Sequence, residues 1–158
     1  MTAGDDPRRR LYRAALDLLA RREHSRLELA RKLRARSAVP GEVLAAVLDR
    51  LAAEGLQSDR RFAESFVRLR VGRGQGPCRI RAELRQRGVE EALIEDALAT
   101  CEVDWVALAS RALRSRFGEG APRQARELAR RIRFLRGRGF AEEQIRRALG
   151  DFPGAPAV

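Results

Sequence analysis

One phrase recurs three times in this chain at a fixed interval, and that interval limits the fold more than any other feature. Leu33-Arg34-Ala35-Arg36 is followed 51 residues later by Leu84-Arg85-Gln86-Arg87, and after another 51 by Leu135-Arg136-Gly137-Arg138. Downstream of the phrase, Gly88-Val89 matches Gly139-Phe140, Leu44 matches Ile94 and Ile145, and Leu48 matches Leu98 and Leu149. Copy one departs slightly, with Ser37 and Ala38 where the others carry a glycine. Equal spacings of this kind mark a repeated supersecondary unit. The copies read as residues 1–57, 58–102 and 103–152, with a frayed tail at 153–158. Neighbour-to-neighbour stacking of such units gives the expectation of an elongated, curved rod presenting one long surface.

Each copy reads as three short helices, because apolar residues return at intervals of three and four and strict alternation is nearly absent. The expectation is an all-α protein of nine helices and no sheet. In copy one, a helix from about Arg8 to Arg22 carries Leu11, Ala15, Leu18 and Leu19 on one face. A second opens at Ser25, where Ser25 and Glu28 form a capping box ahead of Leu29 and Leu33. A third spans roughly Gly41 to Glu54 and ends on Gly55. Copy two starts with Asp59 as a cap for a helix bearing Phe62, Phe66 and Leu69, turns through Gly72 to Pro77, and continues with Ile80, Leu84 and then Leu93, Ile94 and Leu98. Copy three starts at Asp104, with Trp105, Leu108, Leu113 and Phe117, then Leu128, Ile132 and Leu135, then Ile145 and Leu149. Three short helices with a tight turn before the last have a helix-turn-helix outline.

Several chemistries have no residues to support them. Cys78 and Cys101 stand 23 apart with no Cys-x-x-Cys pair, and His24 is the only histidine, so zinc modules and disulfide frameworks are not expected. His24 falls between helices and reads as an ordinary helix-end or exposed histidine. Asp17 and the following arginines interrupt the amino-terminal apolar stretch, and no run approaches the length of a membrane span, so the expected compartment is the cytoplasm. Gly72-Arg73-Gly74-Gln75-Gly76 follows a helix rather than a strand and lacks a Gly-Lys-Ser/Thr ending, so it reads as a connector offering Arg73 for contacts. Glu90, Glu91, Glu95 and Asp96 read as charges favouring a helix start. The aromatics Phe62, Phe66, Trp105, Phe117 and Phe140 read as core. With no nucleophile constellation, cofactor loop or metal set, a non-enzymatic role is expected.

What the residues do offer is positive charge. Lys+Arg number 33 against 22 Asp+Glu, a formal net charge of +11. Thirty-two of those cations are arginine and only Lys32 is lysine. Twelve cations face eight anions over 1–58 (+4), nine face eight over 59–103 (+1), and twelve face six over 104–158 (+6). Arg123, Arg126, Arg130 and Arg133 are spaced to share one helix face opposite Leu128, Ile132 and Leu135. They are either a solvated face or a docking stripe for carboxylates or phosphates, which the guanidinium fork grips bidentately. The pairs Arg34/Arg36, Arg85/Arg87 and Arg136/Arg138 lie in the last turn of each second helix. There they complement the helix dipole, form a ladder of contacts for a repeating partner, or do both.

The order and spacing of these motifs also resemble a known family. Ser25 with Glu28, Leu29 and Leu33, Asp59 with Phe62 and Ala63, Leu84-Arg85-Gln86-Arg87-Gly88-Val89, and Leu135 with Arg138-Gly139-Phe140 are similar to the bacterial regulatory RecX family over about Leu11 to Leu149. The resemblance implies tandem three-helix repeats lying along the groove of the RecA recombinase filament on DNA. It also implies inhibition of filament growth, ATP hydrolysis, strand exchange and coprotease activity, hence modulation of recombination and SOS repair with no chemistry performed by the protein itself; a monomer without cofactor is expected. Sequence-independent binding of single- or double-stranded DNA is compatible with the same charge. The alternative is a helix-turn-helix transcriptional regulator reading bases in the major groove. Against it, the chain has no Asn, and Gln86 and Gln124 are scattered.

Overall fold

The computed structural model describes residues 4–150 and is all-α there, so the expected tail at 153–158 lies outside the described residues. The helices are α1 (Pro7–Arg21), α2 (Arg26–Arg36), α3 (Gly41–Ala53), α4 (Asp59–Gly72), α5 (Pro77–Gln86), α6 (Glu91–Thr100), α7 (Trp105–Phe117), α8 (Ala125–Arg138) and α9 (Glu142–Leu149). None among the described residues is long and apolar enough to cross a membrane.

The helix starts follow local chemistry. Asp6 caps α1 through Arg8 N–H, and Asp104 caps α7 through Ala107 N–H at 3.0 Å. The capping box at α2 is complete: Ser25 Oγ accepts from Glu28 N–H, and Glu28 Oε1 accepts from Ser25 N–H, both at 3.1 Å. Asp59 behaves differently from the expectation. Ser58 caps α4, its Oγ accepting from Arg61 N–H at 3.2 Å. The Asp59 carboxylate turns instead to α2, where Oδ1 accepts the otherwise orphaned N–H of Arg26 at 2.9 Å.

The chain divides into two compact units, the first comprising residues through Ser65 with Leu84–Ala97, the second Phe66–Glu83 with the residues from Leu98 on. In the first, α1, α2 and α3 bury Leu11, Leu18, Leu29, Leu33, Leu44 and Leu51 together. Each such leucine contributes about 1.5–3 kcal/mol relative to an exposed one. In the second, α7, α8 and α9 enclose Leu108, Leu113, Leu135, Phe140 and Ile145, with Phe117 and Phe134 meeting edge to face at 5.4 Å. The helices α4, α5 and α6 contribute to both units. Phe62, Leu84 and Ile94 are buried in the first, and Phe66, Ile80 and Leu98 in the second. Leu69, expected inside, is 53% exposed, because α4 turns Ala63 and Val67 inward instead.

The repeated glycines lie where the chain comes closest to itself. In the first unit Gly88, in the α5–α6 turn with φ +76°, leaves no room for a Cβ beside Leu27 in the first turn of α2, 2.9 Å away. In the second unit Gly139, in the α8–α9 turn with φ +92°, is pressed as closely on Arg79 in the first turn of α5. Gly76 completes that second contact, since a Cβ there would lie 2.5 Å from the backbone of Gly139 and Phe140. Gly76 N–H donates to Arg138 C=O at 2.7 Å and Cys78 N–H to Gly139 C=O at 2.9 Å. The carboxyl end of α8 thereby satisfies the free amides at the start of α5.

His24, expected at a helix end or in solvent, is only 1% exposed. Its Nδ1 lies 3.1 Å from the Arg22 carbonyl and its Nε2 2.9 Å from Lys32 Nζ. An ammonium only donates and a carbonyl only accepts, so the ring is neutral, with its proton on Nδ1. Gln57 Nε2 donates to His24 C=O at 3.3 Å and to Asp59 Oδ1 at 2.9 Å, tying the start of α2 to the start of α4. Burial holds the imidazole below its ordinary value; the Arg22 carbonyl opposes this, while the Arg22 and Lys32 cations reinforce it. Burial by itself would raise the Glu28 carboxyl, but hydrogen bonds from Arg22 and Ser25 outweigh it and hold Glu28 below the usual carboxylate range.

Two expectations follow from this packing. Gly76→Ala will destabilise the fold by about 1–3 kcal/mol, because the clash is with backbone. Gly137→Ala, in α8 with nothing within 4 Å of the added carbon, will instead stabilise it by about 0.5–1 kcal/mol; urea midpoints separate the two. Because the folded state depresses the His24 pKa, its stabilising contribution is complete above the unfolded value near 6.5 and declines as pH falls through the lower folded value. The urea midpoint will therefore drop between pH 7.5 and 5.5, and His24→Gln will flatten that drop. An equal slope in the variant would show that another group titrates there.

Candidate docking surface

The three repeated arginine pairs occupy equivalent positions but do different things. Arg85 at the end of α5 forks onto Glu91 at the start of α6. Arg136 repeats this 51 residues on, its Nε 2.6 Å and its Nη2 3.0 Å from the two oxygens of Glu142. The bond to each glutamate holds the guanidinium above its ordinary value. These pairs bridge the turn between second and third helices, and both partners are well exposed. In copy one, Gly41 stands where Glu91 and Glu142 stand in the others. Arg34 consequently makes no ion pair among the described residues and borders a hollow of about 340 Å³ with Arg26, Leu27 and Gly88. Arg36 is exposed, Arg87 half-buried.

The carboxyl-terminal member of the third pair is fixed. Arg138 Nη1 donates to the Arg73 carbonyl at 2.9 Å, and its guanidinium lies over the Phe134 ring at 5.1 Å. That places Arg138 beside the glycine-rich connector between α4 and α5. The hollow there, about 530 Å³, is bordered by Arg73, Arg111, Arg116 and Arg138, with Leu108 and Phe134 beneath. No carboxylate lines it. Arg111 and Arg116 carry no distinguishing mark in the sequence, because they lie on α7 and come to the hollow with Arg73 only once the chain has folded.

On α8, Arg126, Arg130 and Arg133 are exposed on one face, while Leu128 and Leu135 are buried on another. Arg126 and Arg133 make no side-chain hydrogen bond or ion pair among the described residues, and the Arg130 guanidinium lies 5.9 Å from the Phe117 ring centre. Arg123 does not share the helix: Gln124 is the cap, and Arg123 precedes it with its N–H donating to Glu127 at 2.9 Å. The neighbouring Arg131 is drawn away from the face by its bond to the Gly120 carbonyl at 2.8 Å. The stripe is thus a helical run of three guanidiniums with Arg123 at its approach.

Among the described residues no group of His, Cys, Asp and Glu side chains could hold a metal ion, and both ring nitrogens of His24 are already bonded. The accessible chemistry is that of guanidinium groups arrayed on helices, which can bind carboxylates or phosphates. Fold and surface together define a helical protein of tandem three-helix domains with arginine-rich faces.

The comparisons with known proteins specify that class. Residues 12–51 match the first three-helix domain of RecX and residues 58–98 the second. The chain is 55% identical over 135 residues to the regulatory protein RecX of Halorhodospira halophila, covering 85% of this chain and 83% of that one. It is 50% identical over 137 residues to the regulatory protein RecX of Pseudomonas entomophila, covering 87% and 88%. The crystal structure of RecX from Lactobacillus salivarius superposes with a TM-score of 0.73 at 25% identity, covering 89% of this chain and 92% of that one. A second crystal structure of a regulatory protein RecX gives 0.75 at 27% identity, covering 88% and 71%. The chain belongs to the RecX family of regulatory proteins.

Proposed function

We propose that this chain is a cytoplasmic, non-enzymatic negative regulator of the RecA recombinase. In this reading it binds the RecA–DNA filament along its groove and inhibits filament extension, ATP hydrolysis, strand exchange and coprotease activity. It acts as a monomer, with the copies at 1–57, 58–102 and 103–152 as its binding units. The observation that carries the reading is the exposed guanidinium face of α8, on a chain whose relatives are regulatory RecX proteins. Arg126 and Arg133 are not neutralised from within, so their charge is available to acidic groups or phosphates of a partner. Weak binding to single- or double-stranded DNA without sequence preference accompanies this charge, with an affinity that falls steeply as salt rises.

The test is a titration of RecA ATPase activity on single-stranded DNA. Wild-type chain is expected to lower the rate at substoichiometric amounts. Charge reversal at Arg126, Arg130 and Arg133 together is expected to raise the half-inhibiting concentration about tenfold, some 1.4 kcal/mol, with the helical circular dichroism unchanged. An untouched ATPase rate, coupled with a strong site preference on naked duplex, would instead identify a base-reading regulator.

A further inference from the structure

We propose that the hollow between the α4–α5 connector, α7 and the end of α8 receives an acidic peptide segment of a partner protein, with an aliphatic side chain seated between flanking carboxylates. Four arginines, Arg73, Arg111, Arg116 and Arg138, border it with no carboxylate among the lining residues. Three other arginines of the same unit are compensated, Arg70 by Glu83, Arg136 by Glu142 and Arg146 by Glu143, whereas no carboxylate borders this hollow. The hollow is therefore a local concentration of uncompensated positive charge, which an anionic ligand relieves.

The site is also preorganised. Arg138 is held by the Arg73 carbonyl and stacked on Phe134, and the Arg116 guanidinium lies over Phe117 at 5.1 Å. Guanidiniums fixed before binding lose less freedom when a carboxylate arrives. The floor is apolar, with Leu108 buried and Phe134 half-buried. Charged rim and apolar floor together ask for a ligand with both characters.

That combination favours a peptide over a nucleic acid. Single strands are held by bases stacked on open aromatic faces as well as by phosphate contacts. Here the guanidinium of Arg138 lies over the Phe134 ring, and Phe117 meets that ring at 89°. An aliphatic side chain needs no stacking platform, and its neighbouring carboxylates reach the rim as bidentate partners.

The probe is a short fluorescein-labelled peptide in which two leucines are flanked by aspartates and glutamates, titrated with the full chain and read by fluorescence anisotropy. We expect saturable binding, about tenfold weaker for Arg111→Glu with Arg116→Glu, and several-fold weaker for Arg111→Gln with Arg116→Gln. Circular dichroism confirms that both variants are folded. A peptide with serines in place of the leucines is expected to bind several-fold more weakly. Charge reversal of Arg126 alone, in the first turn of α8 and with no side-chain partner among the described residues, is expected to change peptide affinity less than about twofold. Unchanged affinity in the folded Arg111 and Arg116 variants overturns the proposal. So does an oligothymidine that binds more tightly than the peptide and loses its affinity in the same variants. Because no RecA is present, the outcome is independent of the filament reading.

Discussion

The arrangement rests on two places where backbone approaches backbone or side chain too closely for a Cβ. Gly76 and Gly139 let the α8–α9 turn lie directly on the start of α5, and Gly88 lets the α5–α6 turn lie against Leu27 at the start of α2. Both are the same contact. A turn of one copy abuts the first turn of the second helix in the copy before it, and the contacted residues, Leu27 and Arg79, lie one position from the repeat register. At the second contact, carbonyls freed at the end of one helix accept amides freed at the start of another, which settles two sets of unsatisfied backbone groups at once. The interval of 51 residues is therefore more than a trace of duplication, because it carries the packing of successive copies.

The helices and much of the core were legible in the sequence because they depend on local information. Apolar spacing located the buried faces, and the Ser25–Glu28 box marked the start of α2 from two residues alone. The misplaced residues are those whose roles depend on distant partners. Asp59 stands correctly for a cap, but it caps α2 rather than its own helix. Leu69 follows the apolar spacing of α4 and still faces out, since which edge of an amphipathic face is covered is a property of the packing. His24 looks like an ordinary inter-helix histidine, and only folding brings the Arg22 carbonyl and Lys32 to its two ring nitrogens and Gln57 to its backbone carbonyl, leaving the ring buried and doubly bonded.

The arginines show the same division. Their number and helical spacing were visible, but their engagement was not. Arg85 and Arg136 bridge turns to Glu91 and Glu142, whereas Arg34 has lost that partner because copy one carries Gly41 in its place. Arg138 is recruited onto Phe134 and the connector carbonyl, and the arginines of α7 that share its hollow carry no mark in the repeat. A charge count identifies a basic protein. Which cations remain available is decided by where the carboxylates fall after folding.

The glycine contacts also give the array a direction. Gly88 and Gly139 sit in turns that press against the second helix of the copy before, while the corresponding turn in copy one carries Ser37, Ala38, Val39 and Pro40. Ser37 to Pro40 bring side chains and a proline ring where Gly88 and Gly139 offer bare backbone, so that turn is not shaped for the same close approach to a helix start.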